Sequence, residues 1–334
     1  MKARKYVVKN HFNGIPKRED YEVIEYELPS LVDGDILIKA EWVSVDPYMK
    51  VFSSNFPTPY DQFGFQTGVV LESKDPKYPR GTKVVSHAGW CDYCVINPGK
   101  FTSDFEIIYK MPDLQDLSDS IALSAAGMVG ATAYFGLLEI CKPKAGETLV
   151  VTVAAGAVGS IVGQIGMIVG CRVVGFTGSD EKVRWLEDEI GYDRAFNYKT
   201  TDIDEALKEA APDGVDCYFD NVGGEMSSII MNHMNEFGRV SVCGCISAYT
   251  AEEDNFPKAS TTQLNIFLKQ LKIEGFIVLR WLNEWPTAFR DITSWIKSGE
   301  IKIKEHVLEG FDNIFDAFIS MISGANTGKV VVKL

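Results

Sequence analysis

Residues 149–159 read Leu-Val-Val-Thr-Val-Ala-Ala-Gly-Ala-Val-Gly, an apolar strand followed by a turn of small residues. The turn has the A-x-G-x-x-G spacing of loops that bind dinucleotides. Gly156 would let the backbone approach a pyrophosphate, and Gly159 would let the next helix pack closely on the strand. The N-terminus of that helix would supply free N–H groups and the positive end of the helix dipole for the anion. Tight strand–helix packing alone is the alternative, but the position between a strand and a helix favours a cofactor loop.

Apolar strand-like runs alternate with helix-length segments from about Gly146 onward. Such alternation, with strands that are apolar along their whole length, is typical of a parallel sheet covered by helices. We therefore predict a doubly wound α/β domain over residues 123–299. The predicted strands are residues 149–153, 172–177, 195–197, 217–220 and 239–242, and the predicted helices are residues 159–169, 180–189, 201–211 and 224–234.

The chain on either side of this region has a different pattern. Residues 1–122 contain short alternating runs punctuated by glycine and proline, as expected for a small twisted sheet or barrel. Beyond about Trp295 the pattern returns to strand, helix and strand, and the last strand needs a sheet to join. We therefore predict a discontinuous β-rich domain from residues 1–122 and 300–334. Its predicted strands are residues 21–28, 35–45, 69–72, 83–86 and 92–96, and its C-terminal elements are residues 301–307, 311–322 and 329–333.

The end of the second predicted strand indicates which cofactor the loop prefers. Sites for NAD usually carry Asp or Glu there, about 20 residues after the glycines, to hold the ribose. Here the strand ends Thr177-Gly178-Ser179, and Asp180 has the position of a helix N-cap. Lys182 follows in the first turn of that helix, where its ammonium could bind a 2′-phosphate. A solvated surface charge is the alternative for Lys182, and the loop as a whole favours NADPH.

Charge and composition exclude several classes of protein. With 334 residues and a formal net charge of -13, the chain would be repelled by nucleic acids and by anionic membranes. The N-terminal segment lacks the apolar stretch of a secretory signal, and no apolar run is long enough to cross a bilayer. The seven cysteines are scattered and odd in number, which indicates free thiols in a reducing compartment. We expect a cytoplasmic protein that acts on a small molecule.

The sequence indicates neither a metal site nor a hydrolytic triad. Cys91 and Cys94 form a C-x-x-C pair, but a structural zinc site needs four ligands and no second cysteine pair lies nearby. His11 and His87 stand in no Cys-rich or His-Glu context. We expect no metal, and we expect Cys91 and Cys94 to be strand residues, with an exposed reactive thiol as the alternative. No G-x-S-x-G motif or Ser/His/Asp order supports a hydrolase.

Further motifs carry a resemblance to one family. They are Val-Asp-Pro-Tyr-Met at 45–49, Ala-Tyr-Phe-Gly-Leu-Leu at 133–138, the loop at 154–166, Gly-Ser-Asp-Glu-Lys-Val at 178–183, Phe-Asn-Tyr-Lys-Thr at 196–200, Asp-Cys-Tyr-Phe-Asp-Asn-Val-Gly-Gly at 216–224 and Cys-Gly-Cys-Ile-Ser-Ala-Tyr at 243–249. Together they resemble the zinc-independent medium-chain dehydrogenases/reductases, in the group of prostaglandin reductases, leukotriene hydroxydehydrogenases and alkenal/one oxidoreductases. The resemblance runs from about Val45 to the C-terminus.

The resemblance implies a Rossmann cofactor domain, a GroES-like catalytic domain and reduction of the carbon–carbon double bond of α,β-unsaturated ketones and aldehydes with NADPH. It also implies a homodimer joined through the cofactor domains, for which the predicted strand Lys272–Leu279 is the candidate edge. The cofactor residues that it implies are Gly156, Ala157, Val158, Gly159, Lys182, Tyr198, Asn221, Cys243, Tyr249, Phe276, Ile277, Val278 and Asn326. The loop 250–257 departs from the family, because it is acidic where the family is often proline-rich, and long acidic lipids are therefore less expected as substrates.

Reduction of an enone without a metal needs a hydrogen-bond donor at the substrate oxygen, because hydride addition to the β-carbon leaves an enolate. Tyr249 follows the cofactor-lining segment, and Tyr48 lies in the first-domain motif. We predict that Tyr249 donates to the enolate and that Tyr48 orients the substrate in an apolar aromatic slot. The alternatives are a ribose hydroxyl of the cofactor as donor, with Tyr249 as an aromatic wall, and Tyr48 as an ordinary core residue.

Two other functions are compatible with the same sequence. A quinone reductase of the same superfamily would share the cofactor loop, although residues 46–49 and Tyr249 favour the enone reductase. A cofactor-binding protein without activity, such as a lens-type crystallin or a redox sensor, has no need of a placed hydroxyl. Oxidation of NADPH in the presence of an enal, an enone and a quinone separates the three.

Overall fold

The computed structural model describes residues 1–103, 105–249, 251 and 256–334, and the chain divides into two compact units. The first unit comprises Met1–Ser124, Glu305–Asn326 and Val330–Leu334, and the second unit comprises Ala125–Lys304 and Thr327–Lys329. Thr250 and residues 252–255 of the acidic loop lie outside the described residues. No helix among the described residues is long and apolar enough to cross a membrane.

The elements are numbered here in chain order. The strands are β1 (Lys2–Val8), β2 (Tyr21–Glu27), β3 (Ile36–Ser44), β4 (Tyr60–Asp61), β5 (Gln66–Ser73), β6 (Lys83–Ser86), β7 (Tyr93–Ile96), β8 (Ile108–Lys110), β9 (Thr148–Thr152), β10 (Arg172–Thr177), β11 (Arg194–Asn197), β12 (Val215–Asp220), β13 (Met234–Val242), β14 (Lys272–Gly275), β15 (Glu305–Glu309) and β16 (Lys329–Lys333). The helices are α1 (Tyr48–Val51), α2 (Met128–Phe135), α3 (Ala157–Val169), α4 (Asp180–Arg184), α5 (Ile203–Ala210), α6 (Gly224–Asn232), α7 (Ile246–Tyr249), α8 (Gln263–Leu268), α9 (Trp285–Ser298) and α10 (Ile314–Ile322).

The second unit is built on a six-stranded parallel sheet in the order β11-β10-β9-β12-β13-β14. Counted from β9, this is the order 3-2-1-4-5-6 of the Rossmann fold, which confirms the predicted fold class. All five residues of β9 are buried, as expected for a central parallel strand covered on both faces. The order of the strands reverses between β9 and β12, and ligands of such sheets bind at the carboxyl ends of the strands beside that reversal.

The first unit is β-rich, as the alternating sequence pattern predicts. One sheet has the order β15-β16-β3-β5-β6-β8, with β7 also paired to β3, and a second sheet has the order β2-β1-β4. The predicted C-terminal strand, residues 329–333, coincides with β16, which pairs antiparallel to β3. Buried aromatic residues such as Trp90 and Phe318 pack together with α10 in the core of this unit.

Two predicted strands are wrong in part. Residues 301–304 precede β15 instead of belonging to it, because the N–H of Ile301 bonds the carbonyl of Trp295 and the N–H of Lys302 bonds the Gln164 side chain at 2.7 Å. The predicted strand Lys272–Leu279 ends at Gly275, and a short helical turn begins at Val278. The α9 helix, whose first residue donates an indole N–H to the Val278 carbonyl, holds this turn.

Candidate functional site

The turn after β9 is shaped by backbone contacts that leave no room for larger side chains. A Cβ on Gly159 would lie 2.3 Å from the carbonyl oxygen of Val153, and one on Gly156 would lie 2.7 Å from the Val153 side chain. Val153 itself has a φ of 51°, so the chain turns sharply there. The N–H of Gly328 donates to the Ala155 carbonyl at 2.9 Å, which connects the turn to the residue before β16. Contacts within the chain therefore hold the loop in this conformation.

The α3 helix begins directly after this turn and presents its N-terminus. Gly156 is its N-cap and provides no side-chain cap, and Ala157 and Val158 form the first turn. The first N–H groups of a helix have no partner within the helix, and the helix dipole makes this end positive. The geometry suits the pyrophosphate of a dinucleotide, which is what the spacing of the glycines predicts.

The loop at the end of β10 carries a cap that the sequence analysis assigned to the wrong residue. Ser179, not Asp180, is the N-cap of α4, because its hydroxyl accepts the N–H of Lys182 at 3.3 Å. The Asp180 carboxylate instead accepts a hydrogen bond from the Asn197 side chain at 2.7 Å, which links α4 to the end of β11. The carboxylate is therefore used to hold two elements together.

Two lysines and a tyrosine lie around the same loop. Burial lowers the pKa of Lys182, and the nearby charge of Lys199 lowers it further. Tyr198, which is 45% exposed, lies beside the loop with Lys199: a Cβ on Gly178 would be 3.5 Å from the Tyr198 ring and 3.7 Å from the Lys199 side chain. Two cations that repel each other are stabilised by an anion between them. Sequence reasoning missed Lys199, although its position just after β11, beside the end of β10, was the available signal.

The turn after β12 joins the carboxyl ends of the two strands at the reversal. The buried Asp220 carboxylate accepts hydrogen bonds from the N–H groups of Val222 and Gly223, both at 2.9 Å. Asn221 bonds Thr152 at the end of β9 twice: its side-chain amide donates to the Thr152 carbonyl at 2.7 Å, and its N–H donates to the hydroxyl at 3.0 Å. Asn221, one of the predicted cofactor residues, is thus held at the reversal point.

Tyr249 lies on α7, and its hydroxyl contacts the loop that follows β13. It accepts the N–H of Cys245 at 3.0 Å, and a Cβ on Gly244 would lie 2.6 Å from it. Burial raises the pKa of Tyr249, and the Cys245 N–H partly offsets that shift. The phenol is therefore protonated at neutral pH, and accepting one N–H leaves its own proton to donate. Cys243, at the start of this loop, is a desolvated thiol whose pKa burial raises to about 12.

The other predicted cofactor residues differ in how they are placed. The Phe276 ring is partly buried and packs against Gly136, where a Cβ would lie 2.5 Å from it. Val278 is buried and Ile277 is 57% exposed. Asn326 is buried and belongs to the first unit.

Tyr48 is paired with a histidine that the sequence analysis considered only as a metal ligand. The Tyr48 hydroxyl lies 2.9 Å from Nε2 of His87 and accepts the N–H of Phe65, while the His87 ring donates to the carbonyl of Phe105. Burial lowers the pKa of His87 to about 4 and raises that of Tyr48, so both are neutral near pH 7. Because its other ring nitrogen donates to the carbonyl of Phe105, His87 accepts a hydrogen bond from the Tyr48 hydroxyl through Nε2. The two residues are 39 positions apart, so no local motif marks the pair.

Aromatic rings surround this pair in the first unit. The ring of Tyr48 stacks on Phe63 with centroids 6.0 Å apart, and the His87 ring lies edge-on to Phe65 at 4.7 Å. Phe105 extends the cluster, 6.3 Å from His87. Such a wall is apolar but carries one fixed hydroxyl, which suits a small organic molecule with a polar end.

The described residues contain no group of three His, Cys, Asp or Glu side chains that could hold a metal ion. All seven cysteines are free thiols, and Cys91 and Cys94 are buried. Tyr48 belongs to the first unit and Tyr249 to the second.

Comparison with known proteins gives consistent matches over the whole chain. A family profile described as "Zinc-binding dehydrogenase" matches residues 157–294, and one described as "N-terminal domain of oxidoreductase" matches residues 4–103. Prostaglandin reductase 1 of Bos taurus is 46% identical over 333 residues, which cover 99% of this chain and 99% of that protein. The NADP(+)-dependent 2-alkenal reductase of Nicotiana tabacum is 36% identical, with 98% of this chain and 96% of that protein covered. The solved structure of CurA from Vibrio vulnificus in complex with NADPH has a TM-score of 0.90 at 33% identity, with 99% of this chain and 98% of that chain covered.

Proposed function

The chain belongs to the medium-chain dehydrogenase/reductase family, in the zinc-independent branch that contains the prostaglandin and alkenal reductases, and on that premise we propose that it reduces the carbon–carbon double bond of α,β-unsaturated ketones and aldehydes with NADPH. The observation that carries this proposal is the 46% identity to prostaglandin reductase 1 across 99% of both chains. It is a 2-alkenal or oxoprostaglandin reductase type of enzyme.

The cofactor is NADPH, and residues of the second unit fit its phosphates. The N-terminus of α3, with Gly156 to Gly159, holds the pyrophosphate. Lys182, Lys199 and Tyr198 bind the 2′-phosphate, and no acidic side chain stands at the tip of β10 to hold an unphosphorylated ribose instead. NADPH supplies the hydride.

The substrate oxygen becomes negatively charged as the hydride reaches the β-carbon, and a placed donor stabilises that charge. Tyr249 is protonated at neutral pH, and the N–H that it accepts from Cys245 makes its own proton a better donor. We assign the enolate contact to this hydroxyl. The proton that the α-carbon later acquires comes from water.

The first unit provides the wall that receives the organic part of the substrate. The Tyr48 hydroxyl already donates its hydrogen bond to His87, so it is not free to donate to the substrate, and its role is to orient the substrate through packing of its ring. The rings of Phe63, Phe65 and Phe105 make the surrounding surface apolar. This arrangement favours enals and enones with short or apolar chains.

We further propose that the enzyme is a cytoplasmic homodimer. The edge strand β14 exposes Ile273, and Ile277 is exposed just beyond it. The α8 helix, which precedes β14, also exposes large apolar side chains, namely Leu264, Phe267 and Leu268. An open edge with exposed apolar residues is a surface that a second copy can extend by strand pairing. Seven free thiols fit a reducing compartment.

Turnover with three classes of acceptor tests the activity. NADPH oxidation is followed with an enal, an enone and a quinone of similar size, each at several concentrations. The proposal predicts a higher kcat/KM with the enal and enone than with the quinone. A preference for the quinone would favour the quinone reductase instead, and no oxidation with any acceptor would favour a binding protein without activity.

A further inference from the structure

Two thiols of the first unit lie close together on the wall of a cavity. Cys91 and Cys94 belong to one cluster of buried side chains, where they are 4% and 7% exposed. Both residues line a cavity of about 250 Å³, together with Lys5, Tyr26 and Asp61. A space of that size holds several water molecules, so a small polar reagent can occupy it.

The surroundings make the two sulfurs chemically different. The side-chain amide of Gln66 donates to the Cys91 sulfur at 3.2 Å, and the Cys91 thiol donates to the Ala88 carbonyl at 3.6 Å. The Cys94 side chain and the Gln66 amide lower the pKa of Cys91 in spite of burial, whereas Cys91 and burial raise the pKa of Cys94. Asp61 and Asp92 oppose the shift at Cys91. Cys91 is thus the better nucleophile, and Cys94 is its neighbouring thiol.

The cation on the cavity wall is already paired. Lys5 bonds the Asp61 carboxylate at 2.7 Å and lies over the Tyr26 ring, 5.0 Å from its centroid. This pair makes one side of the cavity polar, and the two sulfurs are on the same cavity's wall. Simple packing would account for two buried thiols, but it does not require an amide donor on one of them or a cavity beside both.

We propose that Cys91 and Cys94 form a reversible dithiol–disulfide site that is oxidised by small hydroperoxides entering this cavity. The Cys91 thiolate attacks the hydroperoxide, so that an S–O bond forms, the O–O bond breaks and an alcohol or water leaves. Cys94 then attacks the Cys91 sulfur, the S–S bond forms and the oxygen leaves as water. In total the two thiols give up two electrons and two protons, and one hydroperoxide becomes an alcohol and a water molecule. Nothing in this step uses NADPH or the enone.

A second pair of thiols in the same chain provides an internal control. The Cys217 thiol donates to the backbone carbonyl of Cys141 at 3.8 Å, and both residues are fully buried. They lie in the second unit, and neither lines this cavity. If the proximity of two buried cysteines were sufficient, both pairs would oxidise alike.

The test uses the full-length protein, first reduced and then freed of reductant. It is treated with a small excess of hydrogen peroxide, unfolded in iodoacetamide and digested with trypsin, which releases both cysteines in one peptide, residues 84–100. We expect this peptide to escape alkylation and to lose the mass of two hydrogen atoms, before Cys141 and Cys217 change, and dithiothreitol to restore both thiols. The proposal is overturned if the peptide is alkylated at both cysteines while other cysteines have been oxidised.

Variants with a single substitution show which of the two sulfurs reacts first with the hydroperoxide. In Cys94→Ser the oxidised Cys91 lacks a partner, so a sulfenic acid should accumulate and be trapped by dimedone. In Cys91→Ser that adduct should be absent. Gln66→Met removes the amide donor and should slow oxidation several-fold, whereas Cys217→Ser should leave the rate unchanged. Equal rates in Gln66→Met and the unmutated protein, or dimedone labelling of Cys94 in Cys91→Ser at the original rate, would contradict the assignment. NADPH oxidation with an enone checks that each variant is folded.

Discussion

Lys182 and Lys199 lie beside the same loop at the end of β10, and the charge of one lowers the pKa of the other. Lys182 remains positively charged in that position only at an energetic cost, which a bound dianion offsets. A 2′-phosphate has the charge and the size for this role. We therefore propose that the preference for NADPH over NADH depends on these two lysines, of which the sequence analysis found one.

Replacing Lys182 with Ala should weaken NADPH binding by roughly tenfold or more, because one charge-assisted contact contributes roughly 1.5–3 kcal/mol. Binding of NADH should hardly change, since it lacks the phosphate. Titration of both cofactors by fluorescence measures the two dissociation constants. The control is Lys208→Ala, which removes an exposed lysine paired with Asp204 on α5 and should alter neither constant. Equal affinity of the unmutated protein for both cofactors would contradict the assignment.

Replacing Tyr249 with Phe keeps the ring and removes the donor. Loss of a single oxyanion donor costs about 10²–10³ in kcat in acyl-transfer enzymes. We expect about tenfold here, because water and the ribose hydroxyl share the charge. The loss should be equal in kcat and kcat/KM, as for a contact made mainly in the transition state. The matched control is Tyr134→Phe, whose hydroxyl bonds Asp291. An unchanged kcat with several enones would contradict the donor role and would mean that Tyr249 only lines the substrate site.

Neutral, partly buried His87 makes stability depend on pH. Burial lowers the pKa of folded His87 to about 4, below the 6.5 of an exposed histidine, so unfolding takes up a proton between these values. Its contribution to stability is therefore complete above about pH 6.5 and is lost as the pH falls towards 4, by about 3 kcal/mol. His87→Phe lacks this proton uptake. Urea unfolding at pH 7 and pH 4 should show a smaller loss in the variant, and equal losses would mean that His87 is not held neutral.

Strands and helices with a strong local pattern could be predicted from the sequence. The strands at residues 83–86, 172–177 and 329–333 have the predicted bounds, because apolar residues and flanking glycines mark them locally. Residues 301–304 could not be excluded from a strand in that way, since the backbone of Lys302 bonds the side chain of Gln164, 138 residues away in the sequence. The Tyr48–His87 pair escaped prediction for the same reason.

The edge strand β14 leads to a prediction about assembly. Ile273→Lys places a charge on the open edge of the parallel sheet, where charged residues oppose strand pairing between copies. We expect the unmutated protein to have the mass of a dimer by light scattering after size-exclusion chromatography, and the variant to shift towards the monomer. Val307→Lys is the control, because Val307 is exposed on β15, at the edge of the other large sheet. If the unmutated protein has the mass of a monomer, β14 is not a dimer interface.

At the scale of the whole molecule, the chain combines a cofactor-binding sheet with a β-rich unit that carries an aromatic wall. The sequence contained the signals for the cofactor unit, because the glycine loop and the strand spacing are local. The aromatic cluster of the β-rich unit is formed by side chains from distant segments, so only Tyr48 could be predicted, through a family motif.

The position of the transferred hydrogen in the product shows whether the enzyme reduces the carbon–carbon double bond or the carbonyl group of an enone. NADPH deuterated at its hydride-donating carbon is incubated with the enzyme and an enone, and the product is analysed by NMR. Reduction of the carbon–carbon double bond predicts a saturated ketone with deuterium on the β-carbon. An allylic alcohol with deuterium on the former carbonyl carbon would contradict it.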